Sequence, residues 1–158
     1  MAIDQRELRN VMGNFATGVT IITTKNAAGK PFGLTANAFS SLSLDPPLLL
    51  ICVDKKVDCY ACFDESQVFG VNFLSDDQDQ LSNRFATKGI EKFEGVSYQL
   101  GELGVALLDG AAAHIECKVA NAYEGGDHTI YVGEVQNAKV LGDRPLLFFR
   151  GKYFKLPQ

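Results

Sequence analysis

Between Ala113 and Val135 the sequence alternates and then doubles back, and this stretch narrows the choice of fold more than any other. Ala113, Ile115, Cys117 and Val119 are apolar, while His114, Glu116 and Lys118 between them are polar. A period of two marks a strand with one dry face and one wet face, which belongs in an antiparallel sheet. Glu124-Gly125-Gly126-Asp127 is a turn signal, and Thr129–Val135 reads as the returning strand. Further strands are predicted at Val19–Thr24, which is β-branched, at Pro31–Ala36 after the Asn26–Gly29 turn, at Val68–Leu74 and at Pro145–Phe149. Pro46-Pro47 blocks a helix, so the apolar run Leu48–Val53 behind it reads as a buried strand.

Short helices interrupt these strands. Asp4 with Glu7 forms a capping-box-like start, and Leu8, Val11, Met12 and Phe15 then share one helical face, with Thr17-Gly18 as the stop. Val57–Ser66 reads as a second helix with Val57, Tyr60 and Ala61 on one face. Ser75 and Gln78 resemble another capping box, opening a helix that carries Leu81 and Phe85. Residues 87–110 read as glycine-rich and irregular. The strand–helix alternation of a doubly wound fold is missing. The expected class is mainly β (α+β): an antiparallel barrel with two or three short flanking helices, one domain over residues 1–158.

Composition excludes several functions. The formal net charge is −4, a poor basis for gripping a nucleic-acid backbone. The opening MAIDQRELRN lacks the apolar core of a signal peptide, and no aliphatic run approaches the ~20 residues that span a bilayer. A soluble cytoplasmic protein is expected, with Cys52, Cys59, Cys62 and Cys117 reduced. Cys59-x-x-Cys62 lacks a second pair and the two histidines are far apart, so no metal site is expected. There is no GxGxxG, GxxxxGK[ST] or GxSxG motif.

Gly33–Ser43 gathers three serines, a threonine and an asparagine into a segment read as a loop between strands, able either to line an oxygen-rich ligand or simply to cap a surface loop. Asp54-Lys55-Lys56 follows a buried strand. Arg84 near a helix end can clamp a phosphate or complement the helix dipole. Asp127-His128 sits at a glycine turn. Gly151 within Phe149–Tyr153 suggests a bulge or a close ligand approach.

Taken together these segments resemble the short-chain flavin reductases, the reductase components of two-component flavin-dependent monooxygenases. The resemblance runs through Phe15-Ala16-Thr17-Gly18-Val19-Thr20, Gly33-Leu34-Thr35-Ala36-Asn37, Ser41–Pro47, Cys52-Val53-Asp54-Lys55 and Phe69–Ser75. It continues through Leu81–Ala86, Lys92–Val96, Gly126-Asp127-His128, Ile130–Val135 and Pro145–Tyr153. It implies an FMN-binding split barrel, a homodimer, and an NAD(P)H:flavin oxidoreductase that passes a hydride from nicotinamide to FMN or FAD and supplies reduced flavin to a partner oxygenase. By the same resemblance Thr35, Ala36, Asn37, Ser40, Ser41, Cys52, Val53, Asp54, Lys55, Ser82, Arg84 and Phe85 hold the flavin. His128 is the catalytic candidate and meets the nicotinamide with Tyr153, while His114 lies away from any motif. Ala16, Ala38 and Val57-Asp58-Cys59 depart from the family pattern and bear on the choice between FMN and FAD. Lys55 and Arg84 suit a phosphate, and backbone N–H donors suit the charge that develops on a reduced flavin. An FMN-binding electron carrier without NADH activity and a non-enzymatic barrel are the competing readings.

Overall fold

In the computed structural model, which describes residues 2–158, three helices and twelve strands follow one another. They are α1 (Gln5–Met12), β1 (Thr17–Gly18), β2 (Thr20–Lys25), β3 (Pro31–Ala36), β4 (Phe39–Leu44), β5 (Pro47–Asp54), α2 (Tyr60–Ser66) and β6 (Val68–Phe73). Then come α3 (Asp79–Ala86), β7 (Tyr98–Leu100), β8 (Ala106–Leu108), β9 (Ala113–Gly125), β10 (His128–Val140), β11 (Leu146–Phe149) and β12 (Lys152–Lys155). No helix among the described residues is long and apolar enough to cross a membrane.

Seven strands pair antiparallel in the order β3-β2-β6-β9-β10-β5-β4. Laid flat, such a sheet would hold its edges roughly 29 Å apart. Yet its edges, β3 and β4, are joined by Asn37 and Ala38 alone. Three Cα steps reach no more than about 11 Å, so the sheet curls into a barrel. A small sheet β1-β11-β12 and the hairpin β7-β8 lie against it.

One core cluster gathers Ile22, Leu34, Leu49, Ile51, Val53, Phe63, Phe69, Val71 and Tyr131. A second joins Val19, Ile21, Leu74, Phe85, Leu108 and Leu146. Neighbours Ile21 and Ile22 point to opposite faces of β2 and both are fully buried, so this strand is covered on both sides. Gly133 permits the tightest approach within the first cluster. A Cβ there would stand 2.5 Å from the Phe69 ring and 2.8 Å from the Cys117 Cβ.

Several expectations are corrected. Asp4 does cap α1, accepting from Glu7 N at 3.3 Å, but the helix stops at Gly13, and Thr17-Gly18 is strand β1. The apolar stripe of α1 buries nothing. Around α2, Val57 and Tyr60 pack on the barrel core as expected, but Ala61 is exposed and the buried face is Cys62 and Phe63 with Cys59 ahead of the helix. Ser75 Oγ donates to Gly110 O instead of capping α3; only the reverse half of the box forms, Gln78 Oε1 accepting from Ser75 N. Gly33–Ser43 is not a loop but the end of β3 and most of β4. On β9, Glu116 and Cys117 are both buried, because residues 102 and 103 cover the outer face and donate two N–H bonds to the Glu116 carboxylate. Arg150-Gly151 is not a bulge within a strand. It is the two-residue turn of the β11–β12 hairpin, with φ of +51° and +76°.

Candidate active site

Two groups of the expected site residues can be traced from the Asn37-Ala38 link between β3 and β4. Ala38 O accepts from Cys52 N at 3.0 Å, which fixes the start of β4 against the end of β5. Antiparallel register then sets Asp54 opposite His128, and Lys55 N donates to Asp127 O at 3.0 Å. The tip of the β9–β10 hairpin is thereby tied to the strand end at 52–55. Lys55 Nζ is paired with the Glu124 carboxylate, which raises the Lys55 pKa.

Asp127 and His128 do face each other: Nδ1 lies 2.7 Å from Asp127 Oδ1. An ionised carboxylate only accepts, so Nδ1 carries a proton and Nε2 is left for a ligand. The same hydrogen bond lowers the Asp127 pKa. The other histidine, His114, is half-buried and directs Nε2 to Leu108 O at 2.7 Å, a bond within the fold.

On the other side of the link, Thr35 Oγ1 donates to Ser82 O at 2.5 Å, Ser82 Oγ and Tyr153 Oη are 2.7 Å apart, and Tyr153 Oη lies 3.1 Å from Asn83 Oδ1. Thr35, Ser82 and Tyr153 thus form one chain of hydrogen bonds. No hydrogen bond among the described residues joins it to His128. Val53, Ser82 and Phe85 have no accessible surface and stand behind the rim as supports. Asn37, Ser40 and Ser41 are exposed; Thr35, Ala36, Cys52, Asp54 and Lys55 are half-exposed. Arg84 is occupied: Nε donates to Lys92 O at 2.7 Å, and Nη2 to Glu91 O and Glu94 O at 2.8 and 2.9 Å. In this structure it fastens the 91–94 loop.

Sequence reasoning missed a groove of ≈ 260 Å³ opening beside Asn37. Val19, Phe39, Phe73, Leu74, Pro145 and Leu146 make its walls, with Gly18, Thr20 and Asn37 completing the lining. These residues come from distant parts of the chain, so no local spacing announces them. Nearby, Thr17 Oγ1 is a buried oxygen without a hydrogen-bond partner. An apolar slot with a polar rim suits a planar heteroaromatic ring, and its size suits the ring portion of a larger ligand. The chemistry of the donor set therefore fits a flavin.

A second cavity of ≈ 300 Å³ lies between Phe32-Gly33, Asp58-Cys59 and Lys92. Burial pushes the Cys59 thiol up to about 11, so it stays neutral there. Among the described residues no cluster of three His, Cys, Asp or Glu could hold a metal.

Comparison with known proteins identifies the family and the fold. The family model described as flavin reductase like domain matches residues 12–157. The reductase subunit HsaB of a flavin-dependent monooxygenase from Rhodococcus jostii is 41% identical over 153 residues, spanning 96% of this chain and 78% of that protein. The crystal structure of nitrilotriacetate monooxygenase component B from Mycobacterium thermoresistibile superposes with a TM-score of 0.93 at 41% identity, covering 98% of this chain and 87% of that one. The Streptomyces globisporus NADH:FAD oxidoreductase SgcE6, solved with NAD and FAD fragments, superposes at 0.91 with 38% identity, covering 99% and 97%. With the family matched over residues 12–157 and the barrel shared, this chain belongs to the flavin reductase like domain family.

Proposed function

We propose that the chain is an NAD(P)H:flavin oxidoreductase that reduces FMN or FAD with NADH or NADPH and delivers the product to a partner oxygenase. One observation carries this reading: in a chain of this family, the barrel opens beside Asn37 an apolar groove with a polar rim, sized for a planar ring. When bound, the flavin supplies the ring that accepts a hydride. The groove walls hold and orient that ring. Asn37, Ser40 and Ser41 offer hydrogen bonds at its polar edge, and Lys55 offers the charge for a phosphate. His128 presents Nε2 to the nicotinamide, with Asp127 fixing its tautomer. Tyr153, held by Ser82 and Asn83, closes the opposite side.

The apolar stripe of α1 and Phe15 just beyond it support a homodimer. Val11, Met12 and Phe15 are 59, 64 and 78% exposed, more than a lone chain needs to leave in water. Light scattering should give twice the chain mass of 17.2 kDa. A cytoplasmic location suits an activity that uses nicotinamide and flavin nucleotides.

The test is anaerobic addition of NADH or NADPH to the protein with FMN or FAD. Bleaching of the flavin band near ~450 nm supports the reading. Bound flavin that neither nucleotide bleaches would make the chain an electron carrier instead.

A further inference from the structure

The sequence offers the flavin phosphate two cations, Lys55 and Arg84, and both already have partners. Arg84 holds three carbonyls of one loop, so releasing it would release the loop. Lys55 is different. Its partner, Glu124, is a side chain at the end of β9, 79% exposed, whereas Lys55 is 34% exposed. Water solvates the carboxylate as soon as the ammonium leaves. The Lys55 backbone does not need to move, because its N–H stays on Asp127 O. Only the flexible ammonium arm changes partner. The pairing raises the Lys55 pKa, chiefly through the hydrogen bond to Glu124, with Tyr60 and Asp127 adding to it.

Two anions therefore compete for one ammonium: a resident carboxylate and an incoming phosphate. We propose that Glu124 sets flavin affinity by drawing Lys55 away from the flavin phosphate, which keeps binding weak enough for the reduced product to leave. This rests on the flavin-reductase reading. Glu124 acts through Lys55, so it is a positioning residue. A reductase that serves a separate oxygenase gains from such a competitor, since interactions that hold substrate and product equally slow release without speeding chemistry.

The test compares FMN with riboflavin, which lacks the phosphate, by flavin fluorescence quenching. Glu124→Gln should tighten FMN binding about two- to fivefold, the range of an exposed ion pair, and leave riboflavin unchanged. Under turnover the KM for FMN should fall by the same factor while the KM for NADH holds. Glu124→Ala should act alike. In a Lys55→Met background, adding Glu124→Gln should change nothing. The proposal is overturned if Glu124→Gln leaves FMN affinity unchanged or weakens it, if riboflavin tightens equally, or if the tightening survives without Lys55. A native protein that binds neither FMN nor riboflavin overturns the flavin reading itself, a distinct outcome.

Discussion

Replacing Arg84 by Met separates two roles that the same residue could have. Met keeps the aliphatic stem and removes the guanidinium with its three bonds of 2.7, 2.8 and 2.9 Å to the carbonyls of Lys92, Glu91 and Glu94. A hydrogen bond to a charged group contributes about 1.5–3 kcal/mol when its partners are left buried. Here Glu91 is exposed and Lys92 and Glu94 are half-exposed or exposed, so water replaces much of what is lost. The sum is therefore about 2 kcal/mol, far below three full bonds. In a chain of this length each kcal/mol moves Tm by roughly 2–4 °C, so Tm should fall by about 4–8 °C. Residues 88–96 should also become sensitive to limited proteolysis, because their anchor to α3 is gone. Thermal unfolding followed by circular dichroism, proteolysis with mass spectrometry and FMN titration decide the matter. If Tm and the loop are unchanged while FMN affinity drops tenfold or more, Arg84 is a phosphate clamp and the loop-fastening argument is refuted.

His128→Ala should raise the KM for NADH or slow flavin reduction roughly ten- to a hundredfold with flavin affinity intact, whereas His114→Ala should lower Tm without touching KM; stopped-flow reduction beside thermal melts checks both halves. Gly133→Ala forces a Cβ to 2.5 Å from the Phe69 ring and should cost about 3 kcal/mol, seen as a lower urea midpoint at unchanged slope. Cys59 and Cys117 are raised by burial from 9.0 to about 11 and about 12. The folded state holds these protons where the unfolded chain loses them, so stability should decline as pH rises above 9, and a urea midpoint that climbs from pH 9 to 10.5 contradicts this. The Cys59 thiol is buried and held neutral, so iodoacetamide at pH 8 should label it only after unfolding.

The elements that were legible in sequence are those written in local punctuation. Pro31 opens β3, Pro47 opens β5, and Gly125-Gly126-Asp127 turns the long hairpin. A period and a breaker are enough for each. What was not legible depends on what lies opposite. The stripe Leu8, Val11, Met12 declares a helical face but not that the chain leaves it uncovered. The serines of Gly33–Ser43 look like loop residues because an edge strand with an exposed face tolerates the same side chains. Glu116 alternates as a surface residue, and only the 100–103 segment folding over it makes it buried. For the site, the rim residues were recognisable as motifs of a family. The groove walls were not, since Val19, Phe39, Phe73 and Leu146 meet only after the barrel closes. Nor does any motif show that the Arg84 donors already have carbonyls to bind.

The strand order carries a consequence for biosynthesis. β3-β2-β6 form one ladder and β5-β4 another, and no strand of the first pairs with any strand of the second. The ladders are bridged by β9 and β10, which are made after both are complete. A nascent chain that has reached residue 112 therefore exposes two naked edges, β6 with its Val and Phe residues and β5 with its Leu, Ile and Val residues. Such edges invite pairing with other chains, and contacts so distant in sequence close slowly. The window between emergence of β5 and emergence of β10 is the aggregation-prone interval of this protein, and the β9–β10 hairpin is the segment that ends it.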